Sequence, residues 1–126
     1  MSATAAAVMT VQEIANRMGE LFKESKWDQV QDELYADDCE SIEPAHAPGL
    51  KSVKGREALK QKAKEFNDMI EEVHSGWVSD LLTGGNYITC AMGLDCTMKG
   101  MGRIKMDEVC VYEVKNGKVV KEQFFF

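Results

Sequence analysis

Three glutamates stand where a carboxylate would do chemistry or need a partner. Glu43 ends a short strand-like run, Cys39 to Ile42, and is followed at once by Pro44. Proline fixes its own φ and donates no backbone hydrogen bond, so the carboxylate sits at a rigid strand end. Glu108 alternates with Ile104, Met106, Cys110, Tyr112 and Val114, and Glu122 alternates with Val120, Phe124 and Phe126. Both therefore lie on faces that are otherwise apolar. An ionised carboxylate taken out of water is costly, so such a group is paired, protonated or put to use. Walled by Met and Phe, a carboxyl group has its pKa raised toward neutrality, which suits it to moving a proton. Plainer roles compete. Glu43 can be a solvated strand end, and Glu108 or Glu122 can pair with a helix Lys or Arg or bond to Tyr112.

The histidines are weaker candidates. His46 lies in the loop after Pro44 and could reach a ligand, or be an ordinary loop residue. Strand parity that turns Val73, Ser75 and Trp77 inward leaves His74 and Asp80 outside. Glu43, His46 and Glu108 are metal-ligand types, but no spaced ligand motif joins them, so neither a metal nor an organic cofactor is expected.

The elements that must hold these groups are legible from periodicity. Val11, Ile14, Ala15, Met18, Leu21 and Phe22 follow helical spacing. Trp27, Val30 and Leu34 continue as a shorter helix capped near Ser25. A loop rich in Pro and Gly leads to "GREALKQKAKEFNDMIEEV", a long helix with a stripe of Leu59, Ala63, Phe66, Met69, Ile70 and Val73. Its lysines and glutamates form a solvated face, and Glu57 suits the positive helix N-terminus. From His74 the period becomes two, predicting strands over 74–82, 86–98, 102–114 and 118–126, with turns at Gly84-Gly85-Asn86, Lys99-Gly100 and Asn116-Gly117. In the second of these, Ile88, Cys90, Met92, Leu94, Cys96 and Met98 share one apolar face that must line the interior. Helices followed by antiparallel hairpins make an α+β plan, with helices on one face of a curved sheet that encloses a cone.

Composition narrows the classes further. The chain has 126 residues and a formal net charge of −6. Its Lys and Arg are scattered, which excludes phosphate-backbone binding and hence nucleic acid. No apolar run approaches the roughly 20 residues of a membrane span, and the start carries no signal-peptide pattern. The four cysteines, Cys39, Cys90, Cys96 and Cys110, show no CxxC spacing and lie in apolar runs. They read as reduced, buried thiols, which places the protein in the cytoplasm. Residues 1–10 read as a frayed Ala-rich end and 11–126 as one domain.

Taken in order, "LYADDCESIEP", "VKGREAL" and "EVCVYEVKNGKVVKEQFFF" resemble the SnoaL-like branch of the nuclear transport factor two-like superfamily, which includes polyketide cyclases and ketosteroid isomerase. The resemblance spans residues 11 to 126 and implies a cystatin-like cone: a curved antiparallel sheet wrapped around N-terminal helices. It also implies that Glu43 occupies the position of the isomerases' general base. Their oxyanion-hole residues have no counterpart, because those positions fall near Met18 and Cys110. The expected pocket is lined by Met18, Ser41, Phe66, Met69, Trp77, Ile88, Cys90, Met92, Met106, Cys110, Tyr112, Glu122, Phe124 and Phe126. It would take a small apolar molecule, with Glu43 as base and Glu108 as proton donor in cofactor-free isomerase or cyclase chemistry. Alternatively, the fold serves as a non-catalytic binding protein or a dimeric scaffold. Tyr87, Ala91, Val109, Val111, Val119 and Phe125 remain for the outer face, where they predict a homodimer.

Overall fold

The computed structural model describes residues 8–47 and 50–126. Thr10 opens helix α1 (Val11–Lys23) with a capping box, its hydroxyl accepting from the Glu13 amide and the Glu13 carboxylate accepting from the Thr10 amide. The expected stripe is buried at Ile14, Ala15, Met18, Leu21 and Phe22. Of the segment expected to fray, residues 1–7 lie outside the described residues. Met9, however, packs on the core and Thr10 is a cap. Residues 9 and 10 are therefore part of the packed domain.

Helix α2 (Trp27–Leu34) has Lys26 at its N-cap and no side-chain cap. The predicted Ser25 cap is corrected. Ser25 takes a left-handed conformation, φ 56°, and reverses the chain between the helices. After α2 come β1 (Tyr35–Ile42), β2 (Val53–Lys54), α3 (Arg56–Met69), β3 (Ile70–Val78), β4 (Leu82–Gly84), β5 (Tyr87–Met98), β6 (Gly102–Lys115) and β7 (Lys118–Phe125). The long helix is thus shorter than its apolar spacing predicted. Ile70 and Val73 belong to β3, paired with Met98 and Cys96 of β5. These β-branched side chains fit the pleated surface better than a helix interior.

The strands form one sheet in the order β2-β1-β7-β6-β5-β3, with β4 paired to β5. Most neighbours are antiparallel hairpins, but β1 runs parallel to β7, so the sheet is mixed rather than antiparallel throughout. Parallel neighbours need a long crossover, and residues 43–117, with α3 and the other five strands, lie between these two strands. Ile14, Met18, Leu21, Val30, Leu34 and Leu59 from the helices form one buried cluster with Ile88, Cys90, Cys110, Tyr112 and Val119 of the sheet. Asn116 and Gly117 both have positive φ, 51° and 74°, as a tight two-residue hairpin turn requires.

Two irregularities change which residues face inward. On β3 the register shifts between Val73 and Ser75, so Trp77 pairs with Gly93, on the other face of β5 from Met92. The Trp77 indole lies over Gly93, where an added Cβ would come within 2.1 Å of its nitrogen. The parity reading of Ser75 and Trp77 as inward is therefore corrected. His74 is on the outside, its Nε2 2.8 Å from Thr97 Oγ1. Between β6 and β7, Val114 pairs with Val119 and Val120 is passed over. That bulge turns Val119 into the core, fully buried, and removes it from the expected outer patch.

Candidate functional site

Helices and sheet leave a partly open cavity of about 1330 Å³ between them. Its walls include Leu59, Lys62, Ala63 and Phe66 of α3, Met92 and Leu94 of β5, Met106 and Glu108 of β6, Glu122 and Phe124 of β7, then Phe126. Glu43 also borders it. The three glutamates singled out by sequence thus open onto one space.

What joins them is a lysine. Lys62 follows Leu59 by three residues and precedes Phe66 by four, so it shares their face of α3 and points inward. Its Nζ lies 2.5 Å from Glu43 Oε2 and donates to Ser41 Oγ at 2.8 Å. The side chains of Lys62 and Glu43 retain only 15% and 6% of their exposure. The ammonium also sits over the Phe124 ring, 5.6 Å from its centroid. Ser41 in turn donates to Glu122 Oε2 at 2.6 Å, and the Tyr35 hydroxyl donates to Glu122 Oε1. The result is a continuous polar chain, Tyr35–Glu122–Ser41–Lys62–Glu43. Pro44 follows directly, and the Glu43 amide donates to Ser52 Oγ at 3.0 Å.

The electrostatics separate the carboxyls. Burial pushes Glu108 up to about 7, and the negative charge of Glu43 adds to the rise. A contact with the Cys110 thiol, 3.7 Å away, and the charge of Lys62 oppose it weakly. Glu122 is likewise raised, chiefly by burial, against the hydrogen bonds from Ser41 and Tyr35. The Tyr35 phenol is held well above its ordinary range by burial and by the Glu122 charge, so it remains a donor. Glu43 is paired with an ammonium and Glu122 is held by two hydroxyls. Among the described residues, Glu108 has only the thiol contact. Of the plainer roles weighed for them, Glu108 makes no Lys or Arg ion pair among the described residues, and Glu122 bonds to Tyr35 rather than Tyr112.

Other expected pocket residues are distributed differently. Phe66, Met92, Met106, Phe124 and Phe126 line the cavity, and Trp77 borders it at the sheet edge with its indole on the outer face. Met18, Ile88, Cys90, Cys110 and Tyr112 lie in the packed core instead. Helix α1 packs on β5 there. Ser41 is fully buried within the polar chain, and Met69 is turned outward at the end of α3. His46 is exposed beside Phe126, ring centroids 5.6 Å apart, and Asp80 borders the cavity at its rim. Among the described residues no three His, Cys, Asp or Glu side chains are grouped to hold a metal. No described helix is long and apolar enough to cross a membrane.

Two members of the site escaped the sequence reading, Tyr35 and Lys62. The signal for Lys62 was present, a lysine at helical spacing inside the apolar stripe of Leu59, Ala63 and Phe66. Tyr35 carried none, because its partner Glu122 is 87 residues away.

Comparison with known proteins places this architecture. The family model for the SnoaL-like domain matches residues 9–126. A crystal structure from Mesorhizobium loti, named for its likeness to SnoaL-type polyketide cyclases, is 36% identical over 94% of this chain and 100% of its own, with a TM-score of 0.86. A protein of Catenulispora acidiphila with a ketosteroid isomerase-like fold, in complex with trimethylamine, is 17% identical over 93% of this chain and 87% of its own, TM-score 0.69. TerC, co-crystallised with polyporic acid, is 13% identical over 92% of this chain and 90% of its own, TM-score 0.71. At such identities the last two share the fold alone. None of the curated proteins compared with the chain matches it.

Proposed function

The chain belongs to the SnoaL-like family, and from that premise we propose that its cavity binds a small, largely apolar carbonyl compound and moves a proton on it. The observation that carries this reading is the placement of Glu108, a carboxyl group in the wall of a largely apolar cavity, where burial pushes it up to about 7. Near neutral pH it is present both as base and as acid, the condition under which general acid–base catalysis is most effective. Glu43, the expected base, is paired with the Lys62 ammonium at 2.5 Å, and in this reading Glu108 moves the proton on the ligand. Lys62 then supplies positive charge beside the reacting carbonyl group. Met92, Met106 and Phe124 give the reacting centre an apolar wall against which a ligand would displace water.

The test is deuterium uptake at the α-carbons of a panel of apolar cyclic ketones in D2O, followed by NMR. Glu108→Gln should slow uptake by roughly 100-fold or more. If the wild-type protein binds these ketones but exchanges none of their protons, the site is a binding pocket without acid–base chemistry.

We infer that the outer face of the sheet pairs two copies of the chain. Ala91, Val109 and Phe125 lie side by side across β5, β6 and β7, and Tyr87, Val109 and Phe125 are about half exposed. An apolar row of this kind on a charged chain marks an interface. Light scattering should give twice the chain mass at micromolar concentration, and Val109→Glu should halve it. Four free, buried thiols suit a reducing compartment such as the cytoplasm.

A further inference from the structure

We propose that Lys62 is a covalent amine, forming an imine with the carbonyl group of the ligand; this rests on the carbonyl reading of the same cavity. Lys62 is a lysine buried against an apolar wall, with Phe66 four residues on along its helix and the Phe124 ring facing its nitrogen. Lys64, two residues further, points to solvent and pairs with Asp68. A nucleophilic amine must first lose a proton, and Lys62 has an acceptor at 2.5 Å in Glu43. Water in the partly open cavity favours the charged pair. An apolar ligand that displaces this water removes that solvation, so the neutral amine and neutral acid become the cheaper arrangement.

The step balances with groups already in the cavity. The amine nitrogen attacks the carbonyl carbon, the N–C bond forms, and the C=O π pair moves to oxygen. That oxygen leaves as water, one of its protons coming from the nitrogen and the other from neutral Glu108. Lys62 ends as a protonated imine, Glu108 as a carboxylate and Glu43 as the neutral acid. No oxidant or reductant is required, and net charge is unchanged.

The experiment incubates the protein with cinnamaldehyde and sodium cyanoborohydride, which reduces any imine to a stable amine. Labelled lysines are then located by peptide mass mapping over time. Lys62 should be labelled ahead of the exposed Lys64, a comparison that needs no variant. Glu108→Gln, checked for native circular dichroism, should slow labelling at Lys62 by roughly 100-fold and leave Lys64 unchanged. Lys62→Arg should lose the fast label altogether. Labelling of Lys62 no faster than Lys64, or a Lys62 rate indifferent to Glu108→Gln, overturns the proposal. If ketone deuterium exchange persists without a Lys62 label, only the imine falls. If both are absent, the acid–base reading falls with it.

Discussion

Two carboxylate–cation pairs in this molecule each have a buried carboxylate, but the cation is buried in one and exposed in the other. Inside the cavity, Glu43 meets Lys62 at 2.5 Å with both side chains nearly buried. On the outer face of β5 and β6, Asp95 meets Arg103 at 3.0 Å through a two-pronged contact, but the arginine side chain is 64% exposed. The Arg103 guanidinium holds Asp95 below the usual carboxylate range, as an ordinary surface pair does. The inner pair has further consequences. Its negative member helps raise Glu108, and its positive member bonds through Ser41 to Glu122. Water screens the outer pair and does little for the inner one. The inner pair therefore couples a whole site, while the outer one fastens two neighbouring strands.

The largest effect should come from Lys62→Met, which leaves the inner carboxylate buried without its cation. Breaking such a pair typically costs about 3–5 kcal/mol, measurable by urea unfolding at pH 8. The loss should shrink at pH 5, because Glu108 and Glu122, already raised, take up protons more readily once the ammonium is gone. An equal loss at both pH values would show that packing, not charge, holds Lys62.

Next comes the pH profile of Glu108. Its folded pKa of about 7 lies above its ordinary value of 4.5, so between these pH values the folded chain holds a proton that the unfolded chain has released. The stability contributed is fully present below about pH 4.5 and is lost as pH rises through about 7. Glu108→Gln should flatten that decline in thermal scans taken from pH 4 to 8. An unaltered decline would assign it to Glu122 instead. Tyr35→Phe removes one of the two donors to Glu122 and should cost about 1–3 kcal/mol, with the remaining Glu122 titration moved further upward in carboxyl NMR. Smallest is Arg103→Ala on the outer face, expected to cost about 1 kcal/mol or less and to lose even that in high salt. A larger value would mean that the outer pair is covered, as it would be by a second copy of the chain.

Much of this was legible in the chain itself, because periodicity is local. The buried stripe of α1, the alternation of β5 and the positive-φ turn at Asn116 and Gly117 follow from residues within a few positions of one another. Glutamates on the apolar faces of β6 and β7 could be picked out for the same reason. Reading failed where a single extra residue reverses a strand's faces, as at Trp77 and Val119. A bulge is set by pairing with a neighbouring strand, and the alternation pattern does not record it.

Sequence alone thus determined the α+β plan, the antiparallel hairpins and the three carboxyl groups that need an environment. Tertiary structure decided what that environment is. Ser41 and Lys62 lie 21 residues apart, Ser41 and Glu122 81, and Tyr35 and Glu122 87. These groups meet because β1 lies parallel beside β7 with α3 packed across β1. Whether a buried carboxylate is neutralised by an ammonium, held by hydroxyls or left to titrate near neutrality depends on distances of a few ångströms between such remote segments. Coulomb and desolvation energies are steep at that range, and the sequence spacing of the partners does not encode it.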